Sequence, residues 1–545
     1  QLQHEPYRAW NASMMGQATR DPVFRAAVAI ANQDTGAAGV FCFRCHAPMG
    51  MIEGRVTPDG SHLVDFDFEG ISCIICHRMV DPVFHEGNPA VDQEILANLQ
   101  APPVSLGNGS YILDPEDRRR GPFTLTPQAT YHPWLQSQFH TTSQLCAQCH
   151  EVSNPAYSRQ PDGTYALNAF DTPHPTQNKL DMFPEQRTFS EWQQSAFARG
   201  PIEMGGRFGG NRTAVSSCQD CHMPSTTDTA CQPFLGGAVR DNLPQHHFAG
   251  ANTWVLRAVN KLYDQGETGL DDEAIEAALT RTGSMLSAAA DVDLSVVNGQ
   301  LAVRVTNQTG HKLPTGYSEG RRMWVNVVFH GADTVLAERG RYDFDSASLE
   351  ESDTKVYRGE IGIDAAVAAV TGNPAGPGFH LALNNTWYYD NRIPPRGFRN
   401  DSFAAVQAAP VGYAYADGQH WDDTAFDIPP GTRSVTVNLY YQTSIREYVE
   451  FLRDANTTTD DGTRLWNEYV RFGRSEPHLM VQSNLALCIA DFNRDGFLDF
   501  FDYDDFVACF ETGNCPAGRS ADYNADGFAD FFDYDDFVAA FETGC

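Results

Sequence analysis

Residues 42–46 read CFRCH, and the same arrangement returns as CIICH at 73–77, CAQCH at 146–150 and CQDCH at 218–222. Each pairs two cysteines three apart with a histidine directly behind: Cys42, Cys45 and His46; Cys73, Cys76 and His77; Cys146, Cys149 and His150; Cys218, Cys221 and His222. A bare CxxC pair serves zinc ribbons, thioredoxin-like sites and haem attachment alike. The trailing histidine separates these uses, because zinc ribbons need none there and a redox pair needs a nucleophilic thiolate rather than a ring nitrogen. Covalent haem needs all three side chains. The cysteines add across the two vinyl groups as thioethers, and the adjacent histidine lies under the iron as proximal ligand.

With 17 histidines in 545 residues, chance puts one behind a given CxxC about 3% of the time, and behind all four about once in a million. The spacing therefore predicts four covalent haem c groups, that is, a tetrahaem c-type cytochrome. Thioether attachment takes place outside the cytoplasmic membrane, so a periplasmic or extracellular location is expected.

A low-spin electron-transfer haem takes a second axial ligand on its open side. The distal candidates are His140 and His132 upstream of the third motif, His246 and His247 in QHHF after the fourth, His174 in DTPHP, His85 in DPVFHEG, and His311 in TNQTGHKLPTGYSEGRRMW. His62 and His4 are further options. A weak repeat, W-x-x-S-x, begins at Trp10, Trp134 and Trp192, each upstream of a CxxCH. The position that follows holds Met15, Phe139 and Phe197. Met15, or Met14 beside it, is thus a candidate axial thioether, with methionine as core filler the alternative. A five-coordinate iron and a ligand from another chain both stay open.

Four segments must position these side chains. Residues 1–255 are expected to form the tetrahaem domain, mostly short helix and irregular loop, with each CxxCH on a short helix and the macrocycles standing in for a core. Residues 256–290 read as a helical connector: Ile275, Ala278, Leu279, Thr282 and Leu286 approximate one face, and Asp271, Asp272 and Glu273 suit an N-terminus. From 291 to 487 the period becomes two, as at Leu301, Val303 and Val305 and again at Val435, Val437, Leu439 and Tyr441. Turn clusters such as NGQ, TGNPAGPG and IPPGTR punctuate the runs, predicting an all-β, sandwich-like domain.

Residues 488–545 form a small α module built on a duplication. DFNRDGFLDFFDYDDFVACFETG is answered by DYNADGFADFFDYDDFVAAFETG. Oxygen ligands recur as Asp491, Asn493, Asp495, Asp499 and Asp502, then Asp522, Asn524, Asp526, Asp530 and Asp533, with Phe497 and Phe528 offering backbone carbonyls. This is the D-x-[DN]-x-D-G calcium loop, in which Gly496 and Gly527 allow the sharp turn, and it predicts two Ca2+ ions. Of the five cysteines outside the motifs, Cys488 and Cys545 bracket the module, Cys509 and Cys515 could close a short loop, and Cys231 is left over.

The net charge of −32, from 70 acidic and 38 basic side chains, argues against nucleic acid and favours cationic partners or calcium. No apolar run approaches the ~18 residues of a membrane span. A first residue of Gln1 suits a mature chain freed of its leader.

The four CxxCH motifs, the W-x-x-S-x segments and phrases such as MMGQATRDPVFRA and GISCIICH resemble the multihaem cytochrome c family, including tetrahaem cytochromes of nitrifying bacteria and extracellular tetrahaem cytochrome filaments. GHKLPTG looks like a motif found downstream of the haems in that family. The tail is similar to dockerin-type calcium repeats, with Asp at the twelfth loop position. These resemblances imply an extracytoplasmic electron carrier that meets redox partner proteins, with the β and calcium segments serving self-assembly or attachment to a surface scaffold. A carrier is favoured over an enzyme. The alternative is a multihaem oxidoreductase acting on a small nitrogen or sulfur compound at an open iron, and a carbohydrate-binding role for the β segment is a third reading.

Overall fold

The computed structural model describes residues 4–125, 132–232, 237–516, 518–524 and 526–543. The first half of the chain is short helices joined by irregular segments and two-stranded ladders. Asp21 opens the helix Pro22–Asp34 by accepting the Val23 and Phe24 N–H groups, and Pro22 sits at the first turn, where its missing N–H costs nothing. The four CxxCH segments lie on or beside Ala38–His46, Cys73–Arg78, Gln144–Ala147 and Cys218–His222.

The stretch expected to be helical is divided into Val255–Leu262, Gln265–Thr268 and Asp272–Ala288. Gly269 causes one division: it ends its helix at φ 66°, a left-handed conformation that glycine adopts without a Cβ penalty. Asp271 then caps the last helix through the Ala274 N–H at 2.7 Å. Ile275, Ala278, Thr282 and Leu286 are buried along its inner face.

The period-two runs are strands. Ala290–Val297, Gln300–Asn307 and Trp421–Asp427 form one antiparallel sheet. Val335–Arg339, Arg322–His330, Ser434–Gln442 and His478–Ala486 form a second, with Val356–Tyr357 also paired to Arg322–His330. In the first hairpin Val297 faces Gln300, and the two-residue turn places Asn298 and Gly299 at φ 50° and 76°, as an Asn-Gly turn between twisted strands requires. Leu301, Val303 and Val305 meet Val325, Val327, Phe329, Val435, Val437 and Leu439 in one apolar core shared by both sheets.

Two other cores tie the second half of the chain to the first. Residues of helices Arg446–Asp454 and Asp461–Arg471 pack with Ala26, Ile30, Val255 and Ile275. Ile361, Ile363 and Leu383 pack with Tyr157 and Phe183. The C-terminal helices Phe500–Thr512 and Phe531–Thr543 close on Phe492, Phe506 and Phe537, and Cys509 is bonded to Cys515. Cys545 lies outside the described residues, and Cys231 is a free thiol. Among the described residues no helix is long and apolar enough to cross a membrane.

Candidate haem sites

A helix brings residues three apart onto one face, so the CxxC pairs at Cys42/Cys45, Cys73/Cys76 and Cys218/Cys221 turn both thiols the same way. The helix Cys218–His222 is held at its start by a reciprocal cap: Ser217 accepts the Asp220 N–H at 3.2 Å, and Asp220 accepts the Ser217 N–H at 3.0 Å. All eight motif cysteines and all four motif histidines line one cavity of about 1990 Å3, twice the ~1,000 Å3 upper end of ordinary ligand pockets. The motifs meet inside it, where the Cys149 thiol feels that of Cys45 and the Cys146 thiol that of Cys218. Burial pushes the Cys42, Cys76 and Cys221 thiols up to about 12, which disfavours the thiolate needed for zinc or disulfide exchange. Among the described residues no three His, Cys, Asp or Glu side chains converge as a metal cage, neither at the CxxCH motifs, where structural zinc would need four ligands, nor in the acidic C-terminal loops.

The histidines are prepared as ligands. His46, His77 and His222 donate from Nδ1 to the carbonyls of Ala18, Arg120 and Ala249, at 3.2, 2.6 and 2.8 Å. A carbonyl only accepts, so the proton sits on Nδ1 and the Nε2 lone pair is left for a metal. Burial pushes His46 and His222 down to about 4 and lowers His77 and His150, keeping the rings neutral at pH 7. Phe24 lies flat on His46, with ring centres 3.7 Å apart and planes 1° apart, fixing the imidazole plane.

Two imidazoles sharing one metal at ~2 Å each put their ring centres roughly 6 Å apart. His222 and His311 are 6.5 Å apart with planes at 20°, and His77 and His246 are 6.3 Å apart at 34°. His140 is also near His77, at 5.7 Å and 7°. Its Nε2 meets the Cys76 carbonyl at 2.9 Å, and its Nδ1 is buried without a hydrogen-bond partner. A buried ring nitrogen left unpaired is costly unless something absent from the chain satisfies it. The donor set and the cavity thus fit haem, with a second imidazole facing the motif histidine at His77 and at His222.

His311 is held by a buried ionic cluster. Its Nδ1 donates to the Lys312 carbonyl at 3.0 Å. Lys312 in turn reaches Asp390 at 2.6 Å, Arg392 forks onto the same carboxylate, and Glu191 accepts the Lys312 N–H at 3.1 Å. His247, His132, Met14 and Met15 line the cavity, as does His4, whose Nε2 is 3.8 Å from Asp228.

Two distal candidates do not present a free ring nitrogen to the cavity. His174 lines the cavity but accepts the Thr176 N–H at Nδ1, which leaves Nε2 protonated and donating to Ser158 at 2.9 Å; no lone pair remains. His85 is not among the residues lining the cavity; its side chain is 65% exposed beside Asp81.

The W-x-x-S segments have a different use from ligand delivery. Trp10 and Trp192 donate to Ile71 and Ser216, each two residues before a CxxCH, at 2.9 and 2.8 Å, while Ser13 and Ser195 lock onto the carbonyls of their own tryptophans. Trp134 instead donates to Phe123, at 2.7 Å. The carbonyls that fix the histidine rings carried no sequence signal, because any residue supplies one. The buried acids Glu185 and Glu319 on the cavity wall were also missed.

The two calcium-type loops share most of their hydrogen bonds, although Asp533 also accepts the Tyr523 N–H and Arg519 reaches the Asp491 and Phe492 carbonyls of the first loop alone. Asp491 accepts the Gly496 N–H at 3.1 Å, and Asp522 the Gly527 N–H at 2.9 Å. Asn493 and Asn524 accept from Asp495 and Asp526, and Asp502 and Asp533, fully buried, accept from Asp499 and Asp530. Gly496 and Gly527 take φ 92° and 98°. Burial and, less strongly, the neighbouring Asp502 carboxylate raise Asp491. The hard oxygen donors suit Ca2+.

No family model matches the chain, and no curated protein matches it. Among solved structures it is similar to a penta-heme cytochrome c552 from Thermochromatium tepidum, at 16% identity, covering 89% of this chain and 96% of that one, with a TM-score of 0.46.

Proposed function

We propose that this chain is an extracytoplasmic tetrahaem c-type cytochrome that relays electrons between redox partner proteins. The observation that carries the reading is the convergence of four CxxCH motifs on one cavity, with imidazoles whose Nε2 lone pairs are free. Haem, when bound, supplies a reversible one-electron couple. The chain does the rest. Its cysteine pairs tether, its backbone carbonyls orient the proximal rings, and His311 and His246 stand opposite His222 and His77 as distal ligands. The buried wall excludes water, which with the axial ligands sets the potentials.

The C-terminal duplication binds two Ca2+ ions and, with the β segment, attaches the cytochrome to a scaffold or to further copies of itself in a filament. Six phenylalanines of the module, Phe497, Phe500, Phe501, Phe528, Phe531 and Phe532, are 66–72% exposed, an apolar surface that suits such attachment. The test is expression with a cytochrome c maturation system. Four covalent haems, low-spin in both oxidation states and inert to nitrite, hydroxylamine and carbon monoxide, are expected. A high-spin haem that turns over one of these substrates would replace the carrier with an oxidoreductase.

A further inference from the structure

Beside the first motif the cavity wall carries buried acids that electron relay does not call for. Glu185 lies on the strand Phe183–Gln186, whose four residues are all buried. Its carboxylate accepts the Tyr317 hydroxyl at 3.1 Å. Glu319 accepts from Asn384 at 3.0 Å through one oxygen, while the other is buried without a partner. Cys42, Cys45, Glu185, Tyr317 and Glu319 all line the same cavity, and Glu185 is the strongest charge acting on Cys42.

The charged groups around this pair are engaged elsewhere. Arg187 spends its guanidinium on the carbonyls of Val152 and Lys179 and on Gln407. Arg392 forks onto Asp390, and Arg321 donates to the Thr315 carbonyl. Asp21, the cap of helix Pro22–Asp34, Tyr448 of helix Arg446–Asp454, Tyr157 and the cavity-lining Arg44, His46, His150 and Lys179 are the other titratable groups near this wall. Burial and mutual repulsion push Glu185 up to about 8, and burial pushes Glu319 up to about 7. At neutral pH the two acids are therefore partly protonated, close to the point at which one added charge changes their occupancy.

We propose that Glu185 and Glu319, with the Tyr317 hydroxyl, form a proton-accepting site that takes up a proton when an electron is added at the Cys42–Cys45–His46 site and releases it when that electron leaves. The proposal rests on the haem reading above. The electron comes from a one-electron donor protein, or from dithionite in the test, and reduces iron(III) to iron(II); the proton comes from water and ends on a carboxylate oxygen. The wall's net charge is thus unchanged. A unit charge ~10 Å away at an effective dielectric of ~20 moves a titration by about one pH unit, enough to switch a group poised near neutrality.

The test is a spectroelectrochemical titration of the holoprotein from pH 5 to 9, with E185Q, E319Q, the double variant, and E116Q at an exposed position as control. One couple of the wild type is expected to fall as pH rises, by up to about 59 mV per tenfold change in proton concentration, the one-proton, one-electron limit. That slope should vanish in the double variant and persist in E116Q. Wild-type couples that are all independent of pH, or a slope that survives in the double variant, overturn the proposal. Should the double variant fail to assemble, redox-difference infrared spectra of the wild type decide. A protonated-carboxyl band that grows on reduction supports the site, and its absence overturns it. A preparation without covalent haem in the pyridine haemochrome assay rejects the haem reading itself, whereas four haems with flat potentials reject only the proton site.

Discussion

The duplicated calcium-type loops and the four CxxCH motifs are both internal repeats, yet they differ in what surrounds them. The loops, offset from Asp491 to Asp522, repeat their main hydrogen bonds because those donors and acceptors lie within twelve residues. The CxxCH motifs repeat only their own five residues. His46 is covered by Phe24, His77 faces His246 and His140, and His222 faces His311, more than eighty residues away in the chain. A self-contained motif gives equivalent sites, whereas a motif completed by distant chain gives sites that differ in ligand and environment. Those differences are what would set one haem's potential apart from the next.

The largest expected break in that contrast is D390A. It leaves Lys312 and Arg392 buried without their shared anion, a loss of about 3–5 kcal/mol. Denaturant unfolding should report it, and the spectrum of one haem alone should change, because the loop that presents His311 loses its anchor.

Calcium removal comes next and should act on the other repeat only. If the module binds calcium as proposed, a hundredfold excess over Kd would stabilise it by about 2.7 kcal/mol. Chelation should lower the melting of the C-terminal helices and leave the haem absorbance unchanged.

A third test uses pH. Glu185 is raised from 4.5 to about 8 in the folded chain. Its contribution is fully present below pH 4.5 and is lost as pH rises toward 8, because the unfolded chain ionises first. E185Q should therefore gain stability over the wild type between pH 6 and 9, on the order of 2 kcal/mol, measured by melting at each pH.

The smallest effect is the sharpest probe of equivalence. G496A and G527A each force an alanine to φ 92° or 98°, and each should cost about 1 kcal/mol, with equal losses of calcium affinity by calorimetry. Unequal losses would mean that the two loops are not equivalent.

The parts legible in the sequence are those whose chemistry is local. The CxxCH triads, the alternation at Leu301, Val303 and Val305, and the loop from Asp491 to Asp502 each carry their reason within a few residues. The distal side was legible only as a set of candidates. His246 and His311 reach the cavity through tertiary packing, His85 does not line it, and His174 spends both nitrogens on Ser158 and Thr176. The W-x-x-S repeat was visible, but its role was not, because the Trp10 and Trp192 bonds run to carbonyls of distant segments. Glu185 lies in a plain strand and announced nothing. Only its burial beside Tyr317 gives it meaning.

The most direct measurement is the intact mass of the protein produced with a haem-attachment system, set beside its pyridine haemochrome spectrum. Four covalently bound haems per chain, falling to three in a C218S/C221S variant, is the expected result. A mass equal to the bare polypeptide, or thiols that remain free to alkylation at Cys42, Cys73, Cys146 and Cys218, would contradict it.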